Sequence, residues 1–242
     1  MQINLELHQT IKNQDSSDGQ DFPRLHHLPC LPSTVAIYES ALDNPDIEVD
    51  SRIQLPSILS GACQKRRHEF LAGRHCAVQA LRNAGCQSVI DLDVGADGLP
   101  SWPPGWLGSI SHCSVGAVAI ATRNSTCRAL GIDVEKWIDS QASADIRSHV
   151  ALPGELELLR EYTTDQALTL LFSAKESLYK ALYPLARKFF DFSAARLRAV
   201  SSKKFDLELC KPWSNDLLQG QLLEVQYAYY PTHVCTALHL AK

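Results

Sequence analysis

"LGIDVE", residues 130–135, sets Leu130, Ile132 and Val134 in alternation with Gly131, Asp133 and Glu135. Alternation at period two is the mark of a β-strand with one face in a core, and it puts Asp133 and Glu135 on the same face. Two carboxylates on one face repel each other unless something positive sits between them. The flanking sequence supports the strand: "GAVAIAT" (116–122) is a second apolar run, and "RNSTCR" (123–128) is a short polar turn between the two.

Working outward, "QKRRHEFLAGRHCAVQALRNAG" (64–85) has an apolar stripe at Phe70, Leu71, Ala77, Val78 and Leu81 near helical period, with Gly85 as its stop. "DVGADGLPSWPPGW" (93–106) is punctuated by Gly and Pro and reads as loop. Beyond the strand come a linker, a helix around "PGELELLREY" (153–162) and a longer helix "DQALTLLFSAKESLYKALYP" (165–184) that Pro184 closes. "STVAIYES" (33–40) has strand character, as do "AARLRAVS" (194–201), "KKFDLELC" (203–210) and "LLEVQYAYYPTHVCTALHL" (222–240). Residues 1 to about 34 are polar and Pro-rich and read as a loosely packed lead-in. Both halves combine helix with strands, so the expectation is an α+β fold built as a duplicated unit, although no residue-level repeat is visible.

Composition narrows the class. With 45% hydrophobic and 21% charged residues, the 242-residue chain is ordinary for a globular protein of one large or two smaller domains. A formal charge of −4 lacks the basic excess of a nucleic-acid binder. None of the eight cysteines forms a C-x-x-C pair, so reduced thiols are expected. The opening residues have no basic and apolar signal-peptide pattern, and no apolar run approaches the roughly 20 residues of a membrane span. A cytoplasmic monomer is the resulting expectation.

The helix at 165–184 carries Lys175, Glu176 and Lys180. Glu176 and Lys180 are four apart and share a face; alone, they read as a surface pair of small energetic weight. Together with Asp133 and Glu135 they read differently. Three carboxylates from two elements, with no Cys or His at ligand spacing, make an oxygen site suited to Mg²⁺ or Mn²⁺ rather than Zn²⁺. Mg²⁺ usually keeps company with phosphate, and the first half offers partners for one. Lys65, Arg66, Arg67 and Arg74 lie on one helix, Arg66 and Arg74 two turns apart. In "GSISHCSVG" (108–116), Ser109, Ser111 and His112 sit at a Gly-flanked turn where hydroxyls and imidazole can meet phosphate oxygens. Turn chemistry and a satisfied core histidine are the plain alternatives. No G-x-S-x-G nucleophile elbow and no Walker motif occurs. Cys113 beside His112 points to the opposite face of a strand, which argues against a thiol enzyme.

Taken in order, "KRRHEFLAGRHCA" (65–77), "GLPSWPPGWLGSISHC" (98–113), "LGIDVE" (130–135) and "FSAKESLYKALYP" (172–184) closely resemble the motifs of the Sfp-type 4′-phosphopantetheinyl transferases, in particular the branch resembling the enterobactin synthase D component. The resemblance spans the middle half of the chain. It implies two similar α+β halves, 1–125 and 126–242, related by a pseudo-twofold with the active site in the cleft between them. It implies transfer of the phosphopantetheine arm of coenzyme A to a serine of an apo acyl or peptidyl carrier protein, releasing 3′,5′-ADP. By motif match, Asp133, Glu135 and Glu176 are implied metal ligands. Ser111, His112, Arg66 and Arg74 are implied coenzyme A contacts, and Lys180 the lysine at the pyrophosphate. Either Glu176 or a metal-bound water would take the serine proton. One departure is the acidic loop "VGADGLP" (94–100), where relatives often carry a basic residue. Past the last helix, "YPLARKFFDF" (183–192) sets Arg187 and Lys188 among aromatics and reads either as a surface for an acidic carrier or as a loop whose aromatics enter the second core. The rivals are a Mg²⁺-dependent phosphohydrolase and a non-catalytic carrier-binding module.

Overall fold

The computed structural model describes residues 31–41, 52–95 and 97–242, so the lead-in falls almost wholly outside it. Strand β1 (Ala36–Ala41) is followed by helix α1 (Gln64–Asn83) and the hairpin β2 (Trp106–Cys113) and β3 (Gly116–Arg123). Then come β4 (Cys127–Lys136), helix α2 (Ser140–Val150), helix α3 (Thr164–Ala186) and four strands: β5 (Ala195–Ser201), β6 (Lys204–Leu209), β7 (Leu222–Tyr229) and β8 (His233–Ala241).

Two antiparallel sheets result, one in the order β1-β3-β2 and one in the order β4-β8-β7-β6-β5. The path repeats. In each half a first strand is followed by helix and then by a hairpin whose second strand pairs back onto the first. The second half adds β5 and β6 at the far edge. This is the two-part α+β architecture that the motifs imply, and the repeat lies in topology rather than in residue identity.

Each helix forms for legible reasons. Along α1, Cys76, Ala77, Val78, Ala80 and Leu81 are buried against the first sheet, and the chain turns out through Gly85 at φ +102°. Helix α3 opens on a capping box in which Thr163 and Gln166 satisfy each other's backbone N–H groups. It buries Leu168, Leu171, Phe172, Leu178 and Leu182 in the larger core, each such side chain contributing about 2 kcal/mol. Between the sheets lies a third core, where Val118 and Ile120 of β3 meet Ile132, Val134, Cys235 and Ala237. The inward residues of "LGIDVE" therefore bind one half to the other.

Several expectations change. Residues 108–113 are not a turn but part of β2, paired along β3 from Trp106 to Cys113. Pro184 does not close α3, which runs to Ala186; a proline in the last turn forfeits a single hydrogen bond, and Arg187 ends the helix in the left-handed region at φ 52°. The segment around "PGELELLREY" is only a short 3-10 turn, Leu156–Leu159. The linker before it holds α2, capped by the Asp139 side chain on the N–H groups of Gln141 and Ala142, with Ala142, Ile146 and Val150 buried. The last apolar run is two strands, split at 230–232. The seven described cysteines form no disulfide among themselves.

Candidate active site

Strand β4 and helix α3 touch through Gly131. A Cβ there would lie 2.0 Å from the Ser177 carbonyl oxygen and 2.7 Å from the Ala181 nitrogen, so only glycine lets the two backbones approach so closely. Asp133 and Glu135 follow on the same face of β4, 0% and 1% exposed, and Glu176 on α3 is 4% exposed. Lys180, one turn beyond Glu176, donates from Nζ to Asp133 Oδ1 at 2.6 Å. Burial works against the charge on Lys180, but Asp133, Glu176 and Glu135 together outweigh it and raise its pKa above the ordinary lysine value. The structure thus brings all four predicted residues together, and the first positive group between the carboxylates is a lysine.

Ser111 joins them. Its hydroxyl donates to Asp133 Oδ1 at 2.9 Å and accepts from Lys180 Nζ at 2.8 Å and from the Val134 N–H at 3.2 Å. His112, the next residue, points the other way, as strand alternation requires. Its Nε2 is 3.0 Å from Arg66 Nη1 and its Nδ1 is 3.7 Å from Glu69 Oε2. Because a guanidinium has no acceptor, Nε2 takes the hydrogen bond and Nδ1 carries the proton toward Glu69. Glu69 is buried and also lies 3.7 Å from Arg66. The sequence signals Glu69 only through its place three residues after Arg66 on a helix.

Arg74 stands apart, about 12 Å along α1 from Arg66 by helical rise. It is buried with its guanidinium over the Phe70 ring, and Nη1 has no hydrogen-bond partner among the described residues. Burial lowers its pKa, against the pull of Asp91 and Asp93, yet a guanidinium stays charged. A buried cationic donor with a nitrogen to spare is suited to an anion.

A cleft of about 780 Å³ opens between the halves, lined mainly by apolar groups such as Leu107, Trp106, Leu130 and Tyr183, with Lys180 and Ser109 in its wall. Across its lining Arg187 forms an ion pair with Asp97. The acidic loop residue and the expected steering charge therefore answer each other. Lys188 and Phe189 beside them are exposed.

Three carboxylates against one ammonium leave an excess of negative charge and hard oxygen donors, chemistry that fits Mg²⁺ or Mn²⁺. Among the described residues, no three His, Cys, Asp or Glu side chains close into a ready-made cage. Mg²⁺ needs none, since it is commonly held by one or two carboxylates and completed by phosphate and water.

Comparison with known proteins agrees with this architecture. The family model of the 4′-phosphopantetheinyl transferase N-terminal domain matches residues 55–122, and that of the 4′-phosphopantetheinyl transferase superfamily matches residues 129–236. The 4′-phosphopantetheinyl transferase Svp of Streptomyces mobaraensis is 36% identical over 172 residues, 69% of each chain. The 4′-phosphopantetheinyl transferase Npt of Nocardia iowensis is 36% identical over 143 residues, 58% of this chain and 62% of its own. Enterobactin synthase component D of Salmonella typhimurium is 40% identical over 125 residues, 51% of each. The aligned part thus spans between half and two thirds of the length of the last two. The chain belongs to the 4′-phosphopantetheinyl transferase superfamily, in the branch similar to enterobactin synthase component D. Among the described residues, no helix is long and apolar enough to cross a membrane.

Proposed function

We propose that this chain transfers the 4′-phosphopantetheine group of coenzyme A to a serine of an apo acyl or peptidyl carrier protein, in a reaction that depends on a divalent metal. The observation that carries the reading is the cluster of buried Asp133, Glu135 and Glu176 with half-buried Lys180, in which one ammonium lies in the field of three carboxylates from two elements.

Asp133, Glu135 and Glu176 would hold Mg²⁺ or Mn²⁺. When bound, the ion supplies neutralisation of the charge that develops on the pyrophosphate. Lys180 reaches the same pyrophosphate and stabilises the departing oxygen. Arg66, Arg74 and His112 contact the phosphates of coenzyme A, with Glu69 orienting His112. The apolar cleft beside Lys180 accommodates the pantetheine arm. The carrier serine Oγ attacks the phosphorus that bears this arm, Glu176 takes the serine proton, and the bond to the leaving 3′,5′-ADP breaks.

The test is intact-mass spectrometry of siderophore, polyketide and fatty-acid apo carriers incubated with the chain, coenzyme A and Mg²⁺. A gain of one phosphopantetheine on any of them, with 3′,5′-ADP released, is expected. Release of inorganic phosphate without carrier modification would instead identify a phosphohydrolase.

A further inference from the structure

On the face of β2 turned away from the carboxylate cluster, three side chains meet. Arg66 Nη1 lies 3.0 Å from His112 Nε2, and Glu69 Oε2 lies 3.7 Å from both His112 Nδ1 and Arg66 Nη1. They are not equally free to move. Half of the Arg66 side chain is in solvent, whereas Glu69 is 6% and His112 15% exposed. Lys65 stands one helical turn before Glu69 on α1, and β3 places Ala117, which does not titrate, opposite His112. Asp133 and Lys180 meet Ser111 on the other face of the strand.

The contacts fix where the protons are. A guanidinium only donates, so Nε2 accepts from Arg66, and the one proton of the neutral ring sits on Nδ1, facing Glu69. This arrangement cannot serve a phosphate, whose ionised oxygens only accept. Arg66 must first let go of Nε2, and a proton must then stand there. Shifting it across from Nδ1 would turn a bare lone pair toward the buried Glu69 carboxylate, an acceptor against an acceptor where water is scarce. Adding a second proton gives an imidazolium with one N–H toward each anion. We propose that coenzyme A binds with uptake of one proton from solvent at His112 Nε2, and that Glu69 is the positioning residue that requires it. Arg66, on its exposed side chain, swings from the ring to the same phosphate. The identity of the ligand rests on the transferase reading above; the proton arrangement of the free ring does not.

The test is calorimetric titration with 3′,5′-ADP, which carries the 3′- and 5′-phosphates of the nucleotide without the thiol, in buffers of different ionisation enthalpy. At about pH 7.5 a phosphate monoester, with a second pKa of about 6, has already lost its protons. The wild-type chain should take up roughly 0.5–1 proton per ligand bound. Affinity should fall on the order of three- to tenfold from about pH 7.5 to 8.5, because binding consumes a proton that becomes scarcer. Glu69→Gln offers an amide N–H to Nδ1, so the neutral ring can carry its proton on Nε2. Uptake should then drop toward zero and the pH dependence flatten, changes that a merely structural role for Glu69 would not produce. Glu69→Asp, which keeps the carboxylate, should keep the uptake. In ¹⁵N NMR the His112 ring nitrogens, assigned by their loss in His112→Gln, should report the neutral Nδ1–H form in the free chain and a doubly protonated ring in the complex. Uptake near zero in the wild type, or unchanged uptake in Glu69→Gln, overturns the proposal. So does a free ring with its proton on Nε2, whatever the chain does to a carrier. Absence of 3′,5′-ADP binding overturns it as well, and carrier modification by intact mass then judges the transferase reading separately.

Discussion

Gly131→Ala tests the assembly of the site at its tightest point. The new Cβ would lie 2.0 Å from the Ser177 carbonyl oxygen and 2.9 Å from the Ala181 Cβ, and neither can swing aside as the end of a flexible side chain could. Restoring ordinary contact requires α3 to retreat from β4 by roughly 1 to 1.5 Å, because a close-packed interior has no slack to absorb the atom. Lys180 sits on the turn between Ser177 and Ala181. Its bonds of 2.6 Å to Asp133 and 2.8 Å to Ser111 would be stretched beyond the usual limit of about 3.2 Å. Overpacking costs about 1–3 kcal/mol, and a clash with helix backbone belongs at the upper end. For a chain of this size, about 3 kcal/mol lowers Tm by roughly 6–12 °C. A displacement of about 1 Å at the reacting groups is worth about 100-fold in rate. Calorimetric melting gives the first quantity, and mass-spectrometric timing of carrier modification gives the second. Wild-type Tm and wild-type turnover in Gly131→Ala would refute the close approach of strand and helix on which the site depends.

Asp133→Ala should reduce transfer at limiting Mg²⁺ to background while the circular dichroism spectrum stays that of the wild type; near-normal turnover would remove Asp133 from the metal site. Arg66→Ala and Arg74→Ala should weaken coenzyme A binding in calorimetry, whereas Glu176→Gln should slow single-turnover chemistry and leave that affinity nearly unchanged. Lys175 is buried with Glu155 at 2.9 Å, and Glu155 also accepts the Leu197 N–H. Lys175→Met strands that carboxylate and should cost about 3–5 kcal/mol in urea unfolding, with Lys175→Arg milder. Burial lowers the pKa of His233 from 6.5 to about 4, so between these values the unfolded chain binds a proton that the folded chain refuses. This contribution is fully present above pH 6.5 and is lost as pH falls toward 4, by about 3 kcal/mol in all, and His233→Gln should flatten that slope in pH-dependent unfolding.

Local period determined what could be read from residues alone. Alternation in "LGIDVE" gave Asp133 and Glu135 a common face, and the stripe of α1 announced a long helix, because periods of two and 3.6 are properties of neighbouring residues. The weaker signals failed where few residues carried them. In α2 only Ala142, Ile146 and Val150 mark the buried face, and the glycine and serines of residues 108–111 passed for a turn although the pairing of β3 makes them a strand. Spacing also placed Arg66 and Arg74 on one helix but could not say that one meets His112 while the other is buried over Phe70. Ser111 and His112, adjacent in the chain, serve different clusters for the same reason that Asp133 and Glu135 share one. Tertiary structure alone decided which distant groups meet: Lys180 with Ser111 and Asp133, Glu69 with His112, Glu155 with Lys175, and Asp97 with Arg187. Each of these contacts joins different elements, and their partners are chosen by how helices and sheets pack, which no local period encodes.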